Sequence, residues 1–187
     1  GALESAWNTQ VQQLRRQQDG EQKALAEREQ RQMLTASLAK EFAKLPEAQN
    51  VPKDILDFVT GIWAGVAAKA QCDAMLKGGQ PGGDPHGYLA VVPQLLWCAQ
   101  PRHAPEDAQR MLPLMSQMQH VIRDGLNSVA LSDEYIGQAL QRVAGLQHKV
   151  AQSAAELLPV AQQQVQQEQQ QEPPSAHEVD VPLEPEV

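Results

Sequence analysis

The chain has 187 residues, a formal net charge of −8 and an aromatic content of only 4%. This length suits one domain or at most two, and a negative surface repels phosphate backbones, which disfavours nucleic-acid and anionic-membrane partners. No apolar run approaches the roughly 20 residues that span a bilayer, so no membrane insertion is expected.

Alanine, glutamine and leucine outweigh β-branched residues. These side chains lose little rotamer freedom in a helix, so an all-α fold is expected. Cys72 and Cys98 both fall in apolar helical patterns. With neither a signal peptide nor a disulfide-dense framework around them, two reduced, buried thiols are the preferred reading. The chain opens on Gly1-Ala2-Leu3 without a methionine. It reads as a piece of a longer cytoplasmic protein, with Gly1 a cloning remnant.

Residues 1–33 read as a polar helical arm. Trp7, Val11 and Leu14 stand at spacings of four and three, and the pattern returns at Leu34, Leu38, Phe42 and Leu45. Both are one-face helical patterns. Between them Leu25 is the one large apolar residue from Gln17 to Gln32, and Asp19-Gly20 marks a candidate break. The plain reading is a long polar helix whose two ends touch something. The sharper one is a partner-binding or coiled-coil segment, for which few heptads are apolar.

The expected core runs over 34–158 as a bundle of four to five helices. Pro52 suits a first helical turn, and Ile55, Val59, Ile62, Val66 and Ala70 make a stripe widened by Leu56, Trp63 and Ala67. Residues 77–85 (Lys-Gly-Gly-Gln-Pro-Gly-Gly-Asp-Pro) form a loop. They lack the Gly-Lys-Ser/Thr ending of a phosphate loop, so a linker is preferred. A helix from about Gly87 to Ala99 follows, with Pro93 expected to kink it or mark a second start. Its unbroken Leu95-Leu96-Trp97-Cys98-Ala99 run signals a buried core, and Gln100-Pro101 ends it.

Pro105 with Glu106 and Asp107 starts the next helix, where acids face the positive end of the helix dipole. Its seam is Met111, Met115, Met118, Ile122, Gly125 and Val129. Core filling is preferred over an adaptable methionine-lined groove. Ser132, with Asp133 and Glu134 behind it, caps the last long helix. The expected core centres on Trp63, Leu96, Trp97, Met115, Ile122 and Leu140, with Pro101 as a further defining residue. Residues 159–187 read as a Gln/Glu/Pro-rich linker or tail, disordered from Glu172 because it cannot bury enough apolar area to offset its ordering entropy.

Chemistry is sparse. The five histidines make no His-x-x-x-His or His-Glu-x-x-His pattern, and no Cys-x-x-Cys occurs. Structural zinc needs convergent ligands, so neither a metal nor a cofactor is expected. Cys98 beside Trp97 in an apolar helix should be a poor nucleophile. Glu106/Asp107 and Asp133/Glu134 are explained as helix-start charges. His103, Arg123 and Asp124 remain as candidate partner or ligand contacts, with a solvated face or a local ion pair the plainer reading of the last two.

Three stretches carry a resemblance: Ile62-Trp63-Ala64-Gly65-Val66; Leu95-Leu96-Trp97-Cys98-Ala99-Gln100-Pro101; and Leu112-Pro113-Leu114 followed by Ile122-Arg123-Asp124-Gly125-Leu126. In order and spacing they resemble a proteobacterial family called domain of unknown function 1631, over about 51–148. The Leu-Leu-Trp-x-x-Gln-Pro element is the specific part; Cys98 and Ala99 stand where a serine and a valine are expected. The resemblance implies a large, mainly helical cytoplasmic protein, in some members with a C-terminal region similar to a PilZ domain, which binds cyclic di-GMP. Some members carry a thymidine phosphorylase label, but this chain lacks that enzyme's glycine-rich phosphate loop and basic residues. It also lacks the Arg-x-x-x-Arg and Asp-x-Ser-x-x-Gly elements of a PilZ site, so any cyclic di-GMP would bind elsewhere in the parent.

The favoured reading is a non-catalytic interaction or scaffolding module of a larger bacterial regulatory protein. It would contact a protein partner, a second copy or other domains of its parent through the helical arms. The alternative is a ligand-linked or cyclic-di-GMP-linked signalling domain, with Arg123, His103 and the Gly78–Gly83 loop as contributors and the cyclic-dinucleotide site outside this chain.

Overall fold

The computed structural model describes residues 1–170. The expected disorder of the acidic tail from Glu172 lies outside these residues. Among the described residues every regular element is helical.

Helix α1 (Ala2–Ala43) runs unbroken through Asp19-Gly20, because one glycine costs only about 1 kcal/mol in a helix that its neighbours continue. At 42 residues it is about 63 Å long. From residue 1 to residue 33 every side chain except the half-buried Val11 is exposed. Burial begins at Leu34 and is complete at Leu38 and Phe42. The C-terminal part of α1 packs on the core while the rest stands outside it.

The second helix is continuous in three parts: α2 (Lys53–Phe58), a π-turn (Val59–Trp63) and α3 (Ala64–Leu76). Hydrogen bonds in a π-turn reach one residue further than in an α-helix. That extra residue shifts the register of the helix faces on either side of it, and Val59 and Trp63 at its two ends are both fully buried. Ile62, which the sequence stripe placed inward, is half-buried.

The loop after α3 needs glycine at three positions of positive φ: Gly78, Gly82 and Gly87. Asp84 closes it by accepting the backbone N–H groups of Leu89 at 3.1 Å and Ala90 at 3.0 Å. Helix α4 (Val91–Cys98) begins four residues later than the expected start, which makes Pro93 its third residue. There the missing N–H has no intrahelical acceptor to lose, so Pro93 neither kinks the helix nor restarts it.

Pro113 has the opposite effect. The single helix expected from Pro105 divides into α5 (Pro105–Met111), a 3₁₀ turn (Leu112–Leu114) and α6 (Met115–Asn127). A proline well inside a helix removes a backbone bond and crowds the carbonyl four residues back, and the tighter turn absorbs both. Helix α7 (Asp133–Ala155) starts at Ser132, whose hydroxyl accepts the Tyr135 N–H at 3.2 Å. Helix α8 (Leu158–Gln170) follows, with Leu158 and Val165 exposed.

The core is continuous from Leu38 and Phe42 through Trp63, Leu95, Leu96, Met118, Ile122 and Leu126 to Val143 and Val150. Trp63, Leu96, Met115 and Ile122 are buried. Trp97 and Leu140, expected in its centre, are half-buried at its edge, and Pro101 is exposed. On α4 the inward arc is taken by Val92, Leu95, Leu96 and Cys98, which leaves Trp97 at the margin. Pro101 follows the helix rather than entering it.

Candidate functional site

The end of α4 holds the most specific sequence element, and its polar groups are engaged in holding helices together. His103 donates from Nε2 to the Trp97 carbonyl at 2.8 Å, and its ring lies against the Trp97 indole with centroids 4.4 Å apart. Lys149 of α7 donates to the Gln100 carbonyl at 2.8 Å. The Gln100 amide reaches the Glu47 carbonyl in the connection after α1. A helix C-terminus leaves carbonyls without intrahelical donors and carries partial negative charge; an imidazole N–H and an ammonium answer both needs. His103 Nδ1 is buried without a hydrogen-bond partner among the described residues.

Arg123 and Asp124 are adjacent and exposed on α6. A separation of one residue turns their side chains about 100° apart, and His103 lies on a different element. The structure therefore does not gather these three candidates into one cleft. The prominent long-range ion pair is elsewhere: Arg142 of α7 meets Asp54 of α2 at 2.9 Å. That guanidinium holds the Asp54 carboxyl below its ordinary range.

Cys98 is fully enclosed, and burial pushes its thiol from 9.0 up to about 11. Cys72 is half-buried. A maleimide added to the native protein is expected to modify Cys72 and to reach Cys98 only after unfolding; peptide mapping of the adducts checks this. Equal labelling of both would contradict the enclosure. Since the unfolded thiol ionises first, this group also takes stability away as pH rises from about 9 to about 11. Among the described residues no group of three or more His, Cys, Asp or Glu could hold a metal ion, and no helix is long and apolar enough to cross a membrane.

The unusual surface is on α1. Leu3 is 88% exposed, Trp7 67%, Leu14 54%, Leu25 54% and Met33 75%. Single exposed apolar residues are ordinary, but Leu3, Trp7, Val11, Leu14 and Leu25 share one stripe. At about 100° per residue this stripe lies roughly a third of a turn from the one formed by Leu34, Leu38 and Phe42. The arm thus does not extend the face that packs on the core; it presents a second face in another direction.

Where α3 ends, a groove of about 320 Å³ opens between it and α1, lined by Ala24, Arg28, Arg31, Cys72, Met75 and Leu76. Leu76 is 68% exposed. The Trp7, Val11 and Leu14 pattern was visible in the sequence. Leu76 and Arg28 could not be found that way, because only the antiparallel packing of α3 on α1 makes them neighbours. Asp84 was missed too; its signal was an acid just ahead of a proline and a few residues before a helix.

Residues 24–144 match the family model described as "Protein of unknown function (DUF1631) third domain". No curated protein and no solved structure matches the chain.

Proposed function

The chain belongs to the DUF1631 family, and from that premise we propose that it is a non-catalytic helical interaction module within a larger bacterial cytoplasmic regulatory protein. The observation that carries this reading is the arm of α1, whose exposed apolar stripe, with Trp7 at its centre, lies on a different face from the one that packs on the core. The cost of leaving such a face in water is about 25 cal/mol per Å² of apolar surface, and a partner helix removes it.

Two further features support the reading. The titratable groups of the core have structural duties: Lys149 and His103 at the end of α4, Asp84 in the loop before it, and Asp54 with Arg142 between α2 and α7. A match to a third domain also implies neighbouring domains in the same polypeptide, and the matched segment starts beside the mouth of the α1–α3 groove, leaving the stripe's first four members ahead of it.

The test mixes this chain with the separately expressed preceding domains of its parent and follows co-elution in size-exclusion chromatography. Binding is expected, and Trp7→Glu with Leu14→Glu is expected to abolish it while the melting temperature holds, because both side chains lie outside the core. Binding that survives these substitutions, or no association either with those domains or with a second copy, overturns the proposal.

A further inference from the structure

Resting on the reading of α1 as an interaction arm, we propose that its partner is a second copy of this chain, aligned antiparallel along the arm. Trp7, Val11, Leu14 and Leu25 occupy positions of one seam whose spacing alternates three and four. Glu4, Gln18, Glu21 and Arg28 occupy the remaining positions between residues 4 and 28. These polar residues choose the orientation.

In a parallel, in-register pair each seam residue faces itself. Glu4 would meet Glu4, Glu21 would meet Glu21 and Arg28 would meet Arg28, three like-charge layers, one inside the contact and one at each end of it. Turning one copy round so that Trp7 faces Leu25 changes every layer. Leu14 then faces Gln18, Val11 lies along the methylenes of Glu21, and Glu4 faces Arg28. Two-fold symmetry supplies each of these pairings twice.

The surface at the far end fits the same alignment. Arg28 lines the α1–α3 groove together with Met75 and Leu76. The start of the second arm would come to the mouth of this groove, with Glu4 beside Arg28 and Trp7 against Leu25. The exposed Leu25 and Leu76 would both be covered. Glu4 is available, since its one ionic partner among the described residues is the N-terminal ammonium at 3.3 Å on an open surface, a weak tie. The overlap from residue 4 to residue 28 is about 37 Å of helix.

Sedimentation equilibrium on the 187-residue chain tests the pairing. A mass of twice 20.5 kDa is expected, with Trp7→Ala weakening the dimer. Glu4→Arg alone and Arg28→Glu alone each place like charges together twice and should raise the dimer Kd by about a hundredfold. Combining the two reversals restores pairing in the antiparallel alignment, whereas in a parallel one both layers would stay repulsive. Recovery in the double variant therefore supports the proposal.

A dimer that does not recover, or one indifferent to Trp7→Ala, overturns it. A chain that stays monomeric at every accessible concentration also overturns it. If that monomer still binds the preceding domains of its parent through Trp7, the interaction-module reading stands and only the self-pairing falls.

Discussion

Alanine at Gly125 lowers the stability of the core by about 2 kcal/mol, the magnitude of overpacking a rigid site, while alanine at Gly145 raises it by about 0.5–1 kcal/mol. The contrast isolates tertiary packing from helix propensity, since both glycines lie inside helices. A Cβ at Gly145 meets nothing within 4 Å, so only the entropic gain of leaving glycine remains. A Cβ at Gly125 would sit 2.5 Å from Cη2 and 2.8 Å from Cζ3 of Trp63, and 3.0 Å from Val66. The indole cannot retreat: it is fully buried, lies 6.0 Å from the Phe58 ring and 5.5 Å from the Tyr88 ring, and is tied to the Tyr88 carbonyl. Urea denaturation of the two variants measures both signs. A stabilised Gly125→Ala variant would show that α6 does not approach Trp63 this closely.

Trp63→Ala is expected to cost about 3–5 kcal/mol, enough to leave many domains largely unfolded at physiological temperature. The side chain fills the space between the π-turn, α6 and the loop before α4, and its Nε1–H donates to the Tyr88 carbonyl at 2.8 Å. Removal leaves a cavity and a buried carbonyl without its donor. Trp63→Phe keeps most of the volume and should lose less, chiefly through that hydrogen bond. A cycle combining Trp63→Phe with Gly125→Ala should be strongly non-additive, because the smaller ring gives the new methyl room. Additive losses would mean that the two residues do not share one packing site.

Much of this structure was legible because the signals are local. Pro105 with two acids, and Ser132 followed by Asp133-Glu134, begin α5 and α7 where the sequence places them, since a cap acts on the four N–H groups beside it. The apolar stripes of α3, α6 and α7 were readable for the same reason: a helix repeats its face every 3.6 residues whatever lies opposite. The resemblance carried by Leu95–Pro101 and the matching stretches around it agrees with the family to which the chain belongs.

Other features were not legible because they depend on what comes to lie alongside. Trp97 sits in an unbroken apolar run, yet only the placement of α4's neighbours left its indole at the margin against His103. The same proline chemistry left α4 straight at Pro93 and divided the next helix at Pro113, because the effect depends on where the helix begins, and the packed loop decided that. The candidates His103, Arg123 and Asp124 were plausible as a set in one dimension; in three they do not converge.

By itself, then, the sequence determined that the regular elements of the described residues are helical, where the capped helices α5 and α7 begin, and that an apolar stripe runs through Trp7. Short-range hydrogen bonds and side-chain periodicity are properties of neighbouring residues. Only the tertiary structure decided that this stripe is left exposed, that a groove with Arg28 and Leu76 opens beside it, and that Gly125 packs against Trp63 with no room for a Cβ. Each of those depends on which helix lies against which, and that is set by the closest packing of buried side chains far apart in the chain.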